Sequence, residues 1–213
     1  MKVQLERMLP QEIERRSMEL IQEELDRRGL AIPPALAPVV KRVIHTTADF
    51  DYAENLVFSS QAVELGQKAL QMGAAVVTDT QMARSGINKK ALARFGGEAL
   101  CFMSDPDVAQ QAVQAGTTRA VASMEKAAKV LASRPAIFAI GNAPTALARL
   151  YELATEGVLR PALVIGVPVG FVNVVEAKEL FLQLDVPYII ARGRKGGSNV
   201  AAAIVNALLY SIK

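Results

Sequence analysis

Short, uninterrupted apolar runs recur along the chain from residue 56 onward, separated by longer stretches typical of helices. The apolar runs are 56–58, 74–78, 99–103, 136–140, 162–165 and 187–191. Runs this short and continuous are typical of strands buried on both faces. The pattern therefore predicts an α/β fold, a single domain in which helices flank a mostly parallel sheet in three layers.

Helices are predicted at 60–72, 88–95 and 117–133, from Pro106 to Gly116, and after each of the turns 141–145, 166–171 and 192–198. Two earlier helices are predicted at 10–28 and 38–48, the second with a buried stripe of apolar residues four positions apart. We predict one domain over residues 1–213, with the N-terminal helices within 10–48 packed on an α/β core of residues 56–213. Its ligand site should lie at the carboxyl ends of the strands.

Composition narrows the classes of protein. The 213 residues include 24 Lys and Arg against 21 Asp and Glu, a net charge of +3, which is too mild to argue for nucleic acid. The single Cys101 excludes an internal disulfide and a cysteine-based metal cluster, and no metal-ligand spacing is present. There is no apolar signal core, and the apolar run 200–210 is shorter than the ~20 residues that span a bilayer. We expect a soluble cytoplasmic protein that binds no membrane.

His45, the only histidine, lies on the predicted second helix. Histidine is the residue type best suited to proton transfer near neutral pH. Lys41 and Arg42 precede it by four and three positions, so a helix brings both basic groups beside the imidazole. A bound acid would explain this arrangement, but so would a solvated basic helix face that happens to carry a histidine.

Four turns that follow predicted strands carry candidate binding residues. The candidates are Thr78, Asp79, Thr80 and Arg84 in the first turn, Asn142 in the second, Val169 and Gly170 in the third, and Arg192, Gly193 and Arg194 in the fourth. Each turn alone is also explained by ordinary helix capping. Together they suggest a basin that suits a ligand with several separated carboxylates.

The turn 192–198, Arg-Gly-Arg-Lys-Gly-Gly-Ser, has the composition of a phosphate-binding loop at a helix N-terminus. It is not a Walker motif, because its lysine precedes the glycines, and no Gly-x-Gly-x-x-Gly fingerprint is present. A Gly-x-Ser-x-Gly elbow is also absent, which argues against a serine hydrolase.

Six stretches resemble the precorrin-8X (or cobalt-precorrin-8) methylmutase family of cobalamin biosynthesis. They are IERRSMELI, KRVIHTTADFDYAENLVFS, VVTDTQMARSGI, IGNAPTALARL, PALVIGVPVGFVNVVEAKE and PYIIARGRKGGSNVAAAIVNAL. The resemblance covers nearly the whole chain, and the order of IGNAPTAL, IGVPVGFV and RGRKGGS is highly specific.

The resemblance implies an isomerase that moves a methyl group from C-11 to C-12 of ring C, giving hydrogenobyrinate or cobyrinate, with no cofactor. His45 then matches the family's active-site histidine, which protonates or hydrogen-bonds ring C. Ser17, Arg42 and Arg119 match substrate-binding positions. The implied partners are a tetrapyrrole polycarboxylate and a second copy of the chain in a homodimer.

The chain departs from the family pattern in one residue of the first helix and varies in the stretch after His45, and two other functions are also compatible with its residues. Met18 stands where family members often have Phe, and the stretch 46–49 resembles the cobalt-containing branch. The same basin would also suit a tetrapyrrole carrier without catalytic activity. A nucleotide- or phosphate-binding α/β protein that uses the turn 192–198 is the other alternative.

Overall fold

A computed structural model describes residues 9–212, so residues 1–8 and 213 of the predicted domain lie outside the described part. Its sheet has six strands: β1 (Leu56–Phe58), β2 (Ala75–Thr78), β3 (Ala99–Leu100), β4 (Ala136–Ile140), β5 (Leu163–Gly166) and β6 (Tyr188–Ala191). They lie in the order β1-β6-β5-β4-β2-β3, and all neighbours are parallel except β1 and β6. The predicted mostly parallel sheet is confirmed.

The helices of the described part cover both faces of this sheet. They are α1 (Pro10–Arg27), α2 (Ala37–Thr47), α3 (Tyr52–Asn55), α4 (Ala62–Gln71), α5 (Gln81–Gly86), α6 (Lys89–Ala93), α7 (Pro106–Gln114), α8 (Arg119–Val130), α9 (Pro144–Thr155), α10 (Val174–Phe181) and α11 (Ser198–Tyr210). One face carries α1, α2, α4, α5, α6 and α11, and the other carries α8, α9 and α10. The three-layer arrangement is therefore confirmed.

Alternation along the central strands builds the two cores. In β4, Ile137 and Ala139 face the layer of α11, whereas Phe138 and Ile140 face the layer of α9, and all four side chains are fully buried. Because successive strand residues point to opposite faces, a strand covered on both sides has to be apolar throughout. This explains why the strands read as continuous apolar runs.

Two short helices were not predicted, and one strand is shorter than predicted. α3 and α5 span four and six residues, too short for a helical repeat of apolar positions to show in the sequence. The predicted strand 99–103 pairs only over Ala99–Leu100, because the edge strand β3 has β2 as its single neighbour. Within the described residues, no helix is long and apolar enough to cross a membrane.

Candidate active site around His45

His45 lies in the last turn of α2 with its side chain exposed. The helix buries Val39, Val40, Val43 and Ile44 against the core, and these positions turn the histidine outward. Ala48, the residue after α2, adopts a left-handed conformation with φ 54° and ends the helix. The core-facing stripe thus fixes the direction in which the imidazole points.

A hollow of about 300 Å³ lies on one side of His45, between α2, α5 and α11. Its lining combines cationic, amide, hydroxyl and small apolar groups: Arg42, His45, Thr46, Gly86, Asn199, Ala202, Ala203, Asn206 and Tyr210. We call it the polar hollow. Alanines on α11 leave the space open, and the longer side chains around them supply the hydrogen-bonding groups.

Arg42 is held in place at the polar hollow. Its Nη2 lies 2.7 Å from Oε1 of Glu14 on α1, and its guanidinium carbon lies 5.4 Å from the centre of the Tyr210 ring. The ion pair fixes the direction of the guanidinium, and the ring face adds a cation–π contact. Glu14 is more exposed than Arg42, so a ligand carboxylate can compete for the arginine from the solvent side.

A second hollow, of about 240 Å³, lies on the other side of His45 between α1 and α2. We call it the apolar hollow, because its lining is mainly hydrocarbon: Ser17, Leu20, Ile21, Ile44, His45, Ala48 and Phe50. The Ser17 hydroxyl donates to the carbonyl of Ile13 at 2.8 Å, which leaves its oxygen lone pairs as acceptors. His45 is the residue shared by both hollows.

Asn206 fixes the wall of the polar hollow. Its Oδ1 accepts from the backbone N–H of Asn88 at 2.8 Å, and its Nδ2 donates to the carbonyl of Gly86 at 2.9 Å. Asn88 in turn donates to the Tyr210 hydroxyl at 3.1 Å and caps α6 through the N–H of Ala91. One amide inside an apolar helix thus ties α5 and α6 to α11.

At the carboxyl edge of the sheet, the Asp79 carboxylate forms hydrogen bonds with the protein's own backbone. Its carboxylate accepts from the backbone N–H groups of Gly141, Asn142 and Ala143 at 2.9, 2.8 and 2.6 Å, and the residue is 1% exposed. Burial raises the pKa of Asp79, and the three amides act in the opposite direction. The backbone amides that a ligand would need in the turn 141–145 are therefore occupied by Asp79.

The two threonines that flank Asp79 are also used internally. The Thr78 hydroxyl donates to the carbonyls of Thr80 and Leu100, and it is fully buried. The Thr80 oxygen caps α5 at the N–H of Ala83 and shares a hydrogen bond of 2.7 Å with the hydroxyl of Ser198. These contacts connect the turn after β2 to the start of α11.

The predicted arginines of this edge have partners within the protein. Arg84 donates to the carbonyl of Ala99, Arg192 forms a two-pronged ion pair with Glu179, and Arg194 lies 5.5 Å from the centre of the Phe171 ring. Arg119 is exposed at the first position of α8. In the turn 166–171, Val169 and Phe171 are exposed, whereas Val167 is fully buried.

Asp49 and Asp51, left without a role by the sequence, both bind one lysine. Nζ of Lys195 lies 2.6 Å from each carboxylate, and this contact lowers the pKa of Asp49. The lysine belongs to the turn 192–198, whereas the aspartates directly follow the helix of His45. The ion pair thus links the helix of the histidine to this turn.

The structure brings Ser17, Arg42 and His45 together around the two hollows. It does not bring the other predicted site residues into either lining: Thr78, Asp79, Thr80, Arg84, Arg119, Asn142, Val169, Gly170, Arg192, Gly193 and Arg194. The polar hollow also contains three residues that were not predicted from the sequence: Asn199, Asn206 and Tyr210. The one available signal was the asparagine that interrupts the apolar run 200–210. In the described residues, no group of three or more His, Cys, Asp and Glu side chains is arranged to hold a metal ion.

Residues 12–211 match the family model described as precorrin-8X methylmutase. The chain is 46% identical over 199 residues to the cobalt-precorrin-8 methylmutase of Priestia megaterium, with 93% of this chain and 87% of the relative covered. It is 49% identical over 182 residues to that of Salmonella typhimurium, with coverages of 84% and 83%. The crystal structure of precorrin-8x methyl mutase from Thermus thermophilus superposes with a TM-score of 0.83 at 40% identity, over 93% of this chain and 96% of the other.

These matches extend over nearly the whole chain, the relatives are similar to it in length, and the solved relative shares its fold. A methylmutase moves a methyl group within one molecule and is therefore an isomerase. The chain belongs to the precorrin-8X methylmutase family, the isomerases that carry out methyl migration in cobalamin biosynthesis.

Proposed function

We propose that the protein moves the methyl group of precorrin-8X, or of its cobalt-containing counterpart, from C-11 to C-12 of ring C, with His45 as proton donor and acceptor. The observation that carries this proposal is the position of the only histidine, exposed where a polar and an apolar hollow meet. The product is hydrogenobyrinate or cobyrinate.

The chemistry requires one acid–base group beside ring C. In the migration, the bond between C-11 and the methyl carbon breaks and a bond to C-12 forms, so that the product is an isomer of the substrate. A proton or hydrogen bond from His45 withdraws electron density from ring C and favours the migration. The step needs no redox partner, and we expect no cofactor to be consumed.

In this proposal each of the two hollows binds a different part of the ring edge. The apolar hollow offers Leu20, Ile44 and Phe50 to hydrocarbon parts of the macrocycle. The polar hollow offers the Arg42 guanidinium to a carboxylate arm, and Ser17 supplies a hydroxyl on the opposite side. His45 lies between these two environments, where ring C has to be placed.

We propose that further carboxylate arms reach the carboxyl edge, where Arg84, Arg119, Arg192 and Arg194 contribute positive charge. Neither hollow is large enough for a whole tetrapyrrole, so the macrocycle has to extend beyond them. In this proposal the buried Asp79 shapes the edge and does not touch the substrate, since both of its oxygens bind backbone N–H groups.

We propose that the physiological substrate contains cobalt. Cobalt-precorrin-8 methylmutases are 46% and 49% identical to this chain, whereas the precorrin-8X methylmutase of Pseudomonas aeruginosa is 39% identical. Parallel assays with the metal-free and the cobalt-containing precursor test this proposal. A higher kcat/KM for the metal-free compound would contradict it.

We also propose that the protein is a cytoplasmic homodimer that does not bind nucleic acid. Phe171 and Val172 are 82% and 75% exposed in the single chain, which favours a surface covered by a second copy. Light scattering of the purified protein should give the mass of two chains. The mass of one chain would contradict the proposed dimer.

The experiment that tests the catalytic role is the substitution His45→Ala. Conversion of precursor should be lost, while circular dichroism stays that of the folded protein and the corrinoid product still binds. Absorption spectra follow both conversion and binding in one cuvette. Normal turnover by the variant would refute the role of His45, and binding without conversion by the wild type would favour a carrier.

A further inference from the structure

Lys178 on α10 is a fully buried lysine. Its Nζ donates hydrogen bonds to the carbonyl oxygens of Gly193 and Lys195, at 2.8 and 2.9 Å. Both carbonyls belong to the turn 192–198, so the ammonium supports this turn from the inside. Within the described residues, no carboxylate lies within ion-pair distance of Lys178.

Stability alone does not account for a lysine at this position. Removing an ammonium from water costs several kcal/mol, and a methionine of similar length would pack without that cost. Burial lowers the pKa of Lys178 to about 8, which is the expected result of this desolvation. A buried charge that is kept despite its cost points to a task in the turn that it supports.

The hydrogen bonds from Lys178 set the orientation of two peptide groups. In a trans peptide, the N–H points away from the carbonyl of the same group. Because the carbonyls of Gly193 and Lys195 point toward Lys178, the N–H groups of Arg194 and Gly196 point away from it. Among the described residues, neither of these N–H groups has a hydrogen-bond acceptor.

The same turn is held at two other points. Glu179, the next residue on α10, pairs with Arg192 at 2.9 Å. The Lys195 side chain binds Asp49 and Asp51, which follow the helix of His45. A chain of contacts therefore runs from Lys178 through the turn to the end of α2.

We infer that Lys178 is a positioning residue: it holds the turn 192–198 so that its basic side chains and two backbone N–H groups face the carboxylate arms of the substrate. This inference rests on the proposed function. Without the ammonium, the carbonyls of Gly193 and Lys195 lose their donors and become free to turn toward the arms, where they would repel carboxylates. The substrate would then bind more weakly, while the chemistry at His45 would be little changed.

The test compares Lys178→Met with the wild type in steady-state assays on cobalt-precorrin-8. We expect KM to rise about tenfold with kcat within about twofold, the pattern for lost binding that is not specific to the transition state. Amide hydrogen exchange should become faster in residues 192–198 and stay unchanged in β4. Lys126→Met is the matched control, because it removes a lysine of α8 that also has two partners, Asp105 and Asp107.

An unchanged KM in a folded Lys178→Met protein would overturn the inference, and so would a loss confined to kcat. Should the methionine variant fail to fold, Lys178→Gln replaces it, since its amide can still donate to one of the two carbonyls. We then expect a smaller rise in KM, again with kcat nearly unchanged, and an unchanged KM would overturn the inference. The two proposals fail in different ways. A wild type that does not convert the precursor removes the proposed function, whereas normal conversion with an unchanged KM in the variant removes only the role of Lys178.

Discussion

A single buried carboxylate organises the carboxyl edge of the sheet. Asp79 binds three successive N–H groups in the turn after β4, and Thr80 beside it reaches Ser198 at the start of α11. The close approach of the two turns also depends on Gly141, where a Cβ would lie 2.7 Å from the carbonyl oxygen of Gly197. Hydrogen bonds and close packing within the protein therefore hold the turns of this edge together.

Asp79→Asn should destabilise the protein strongly. The amide keeps one acceptor oxygen but turns an NH₂ group toward backbone donors, so hydrogen bonds to the carboxylate are lost. We expect the free energy of unfolding to fall by about 3 kcal/mol, as for a buried hydrogen bond to a charged group. Urea denaturation measures the loss. The exposed Asp185→Asn serves as control, and an equal effect of the two substitutions would contradict this role of Asp79.

Lys178 should leave a signature in the pH dependence of stability. Its pKa of about 8 lies below the ordinary lysine value of 10.5. Between these values the unfolded chain binds more protons than the native protein, so the contribution of Lys178 to stability rises with pH.

The measurement is the free energy of unfolding of the wild type minus that of Lys178→Met, determined by urea titration at several pH values. We expect this difference to move in favour of the wild type as the pH rises from about 8 to about 10.5, by at most about 1.4 kcal/mol per pH unit. Other titrating groups are common to both proteins and cancel. A difference that does not depend on pH would exclude a depressed pKa.

At the scale of helices and strands, the periodic and continuous apolar patterns were sufficient to predict the sheet. β4 was predicted with its observed bounds, and α1 and α2 to within one residue at each end. Contacts between distant elements were not predictable in this way. Lys195 pairs with Asp49 and Asp51, which lie more than 140 positions away in the sequence. The spacing of neighbouring residues cannot predict a contact over such a distance.

The candidate site was likewise predictable from the sequence only in part. His45 was singled out from the sequence as the only histidine, with Arg42 beside it, and the family resemblance added Ser17 and a role for each of the three. α1 and α2 place them together. The polar residues of the turns were expected to face a ligand, yet Thr78 and Asp79 are buried. Polar residues after a strand either bind a ligand or satisfy the backbone, and the sequence does not distinguish these uses.

Ala203→Leu tests whether the space between α2 and α11 is used for binding. Ala203 lines the polar hollow, and a leucine side chain would occupy part of its roughly 300 Å³. We expect product binding, followed by absorption titration, to weaken at least about tenfold, because the added volume competes directly with the ligand. The protein should stay folded by circular dichroism. Ala109→Leu on α7 is the control, and equal affinities of the two variants would contradict the assignment of this hollow.

At the scale of the whole molecule, the basic side chains have to serve both the protein's own carboxylates and the proposed substrate. The chain carries a net charge of only +3, while the proposed substrate is a polycarboxylate. Arg42 is already paired with Glu14, Arg192 with Glu179, and Lys195 with two aspartates. Binding an anionic arm therefore means competing with the protein's own carboxylates, and only the difference between the two interactions contributes to affinity.

This competition predicts a limited dependence of substrate binding on salt. Exposed ion pairs are screened as the Debye length falls from about 10 Å at 0.1 M salt to about 3 Å at 1 M. Salt weakens the substrate contacts, but it also weakens the internal pairs that oppose them. We therefore expect KM to rise only a few-fold over this range, with kcat unchanged.

Glu14→Gln should lower KM at low salt, because Arg42 loses its internal competitor, and should make the rise with salt steeper. Steady-state kinetics across a potassium chloride series measures both slopes, with the exposed Glu64→Gln on α4 as control. Identical slopes for the wild type and Glu14→Gln would show that Glu14 does not compete with the substrate for Arg42.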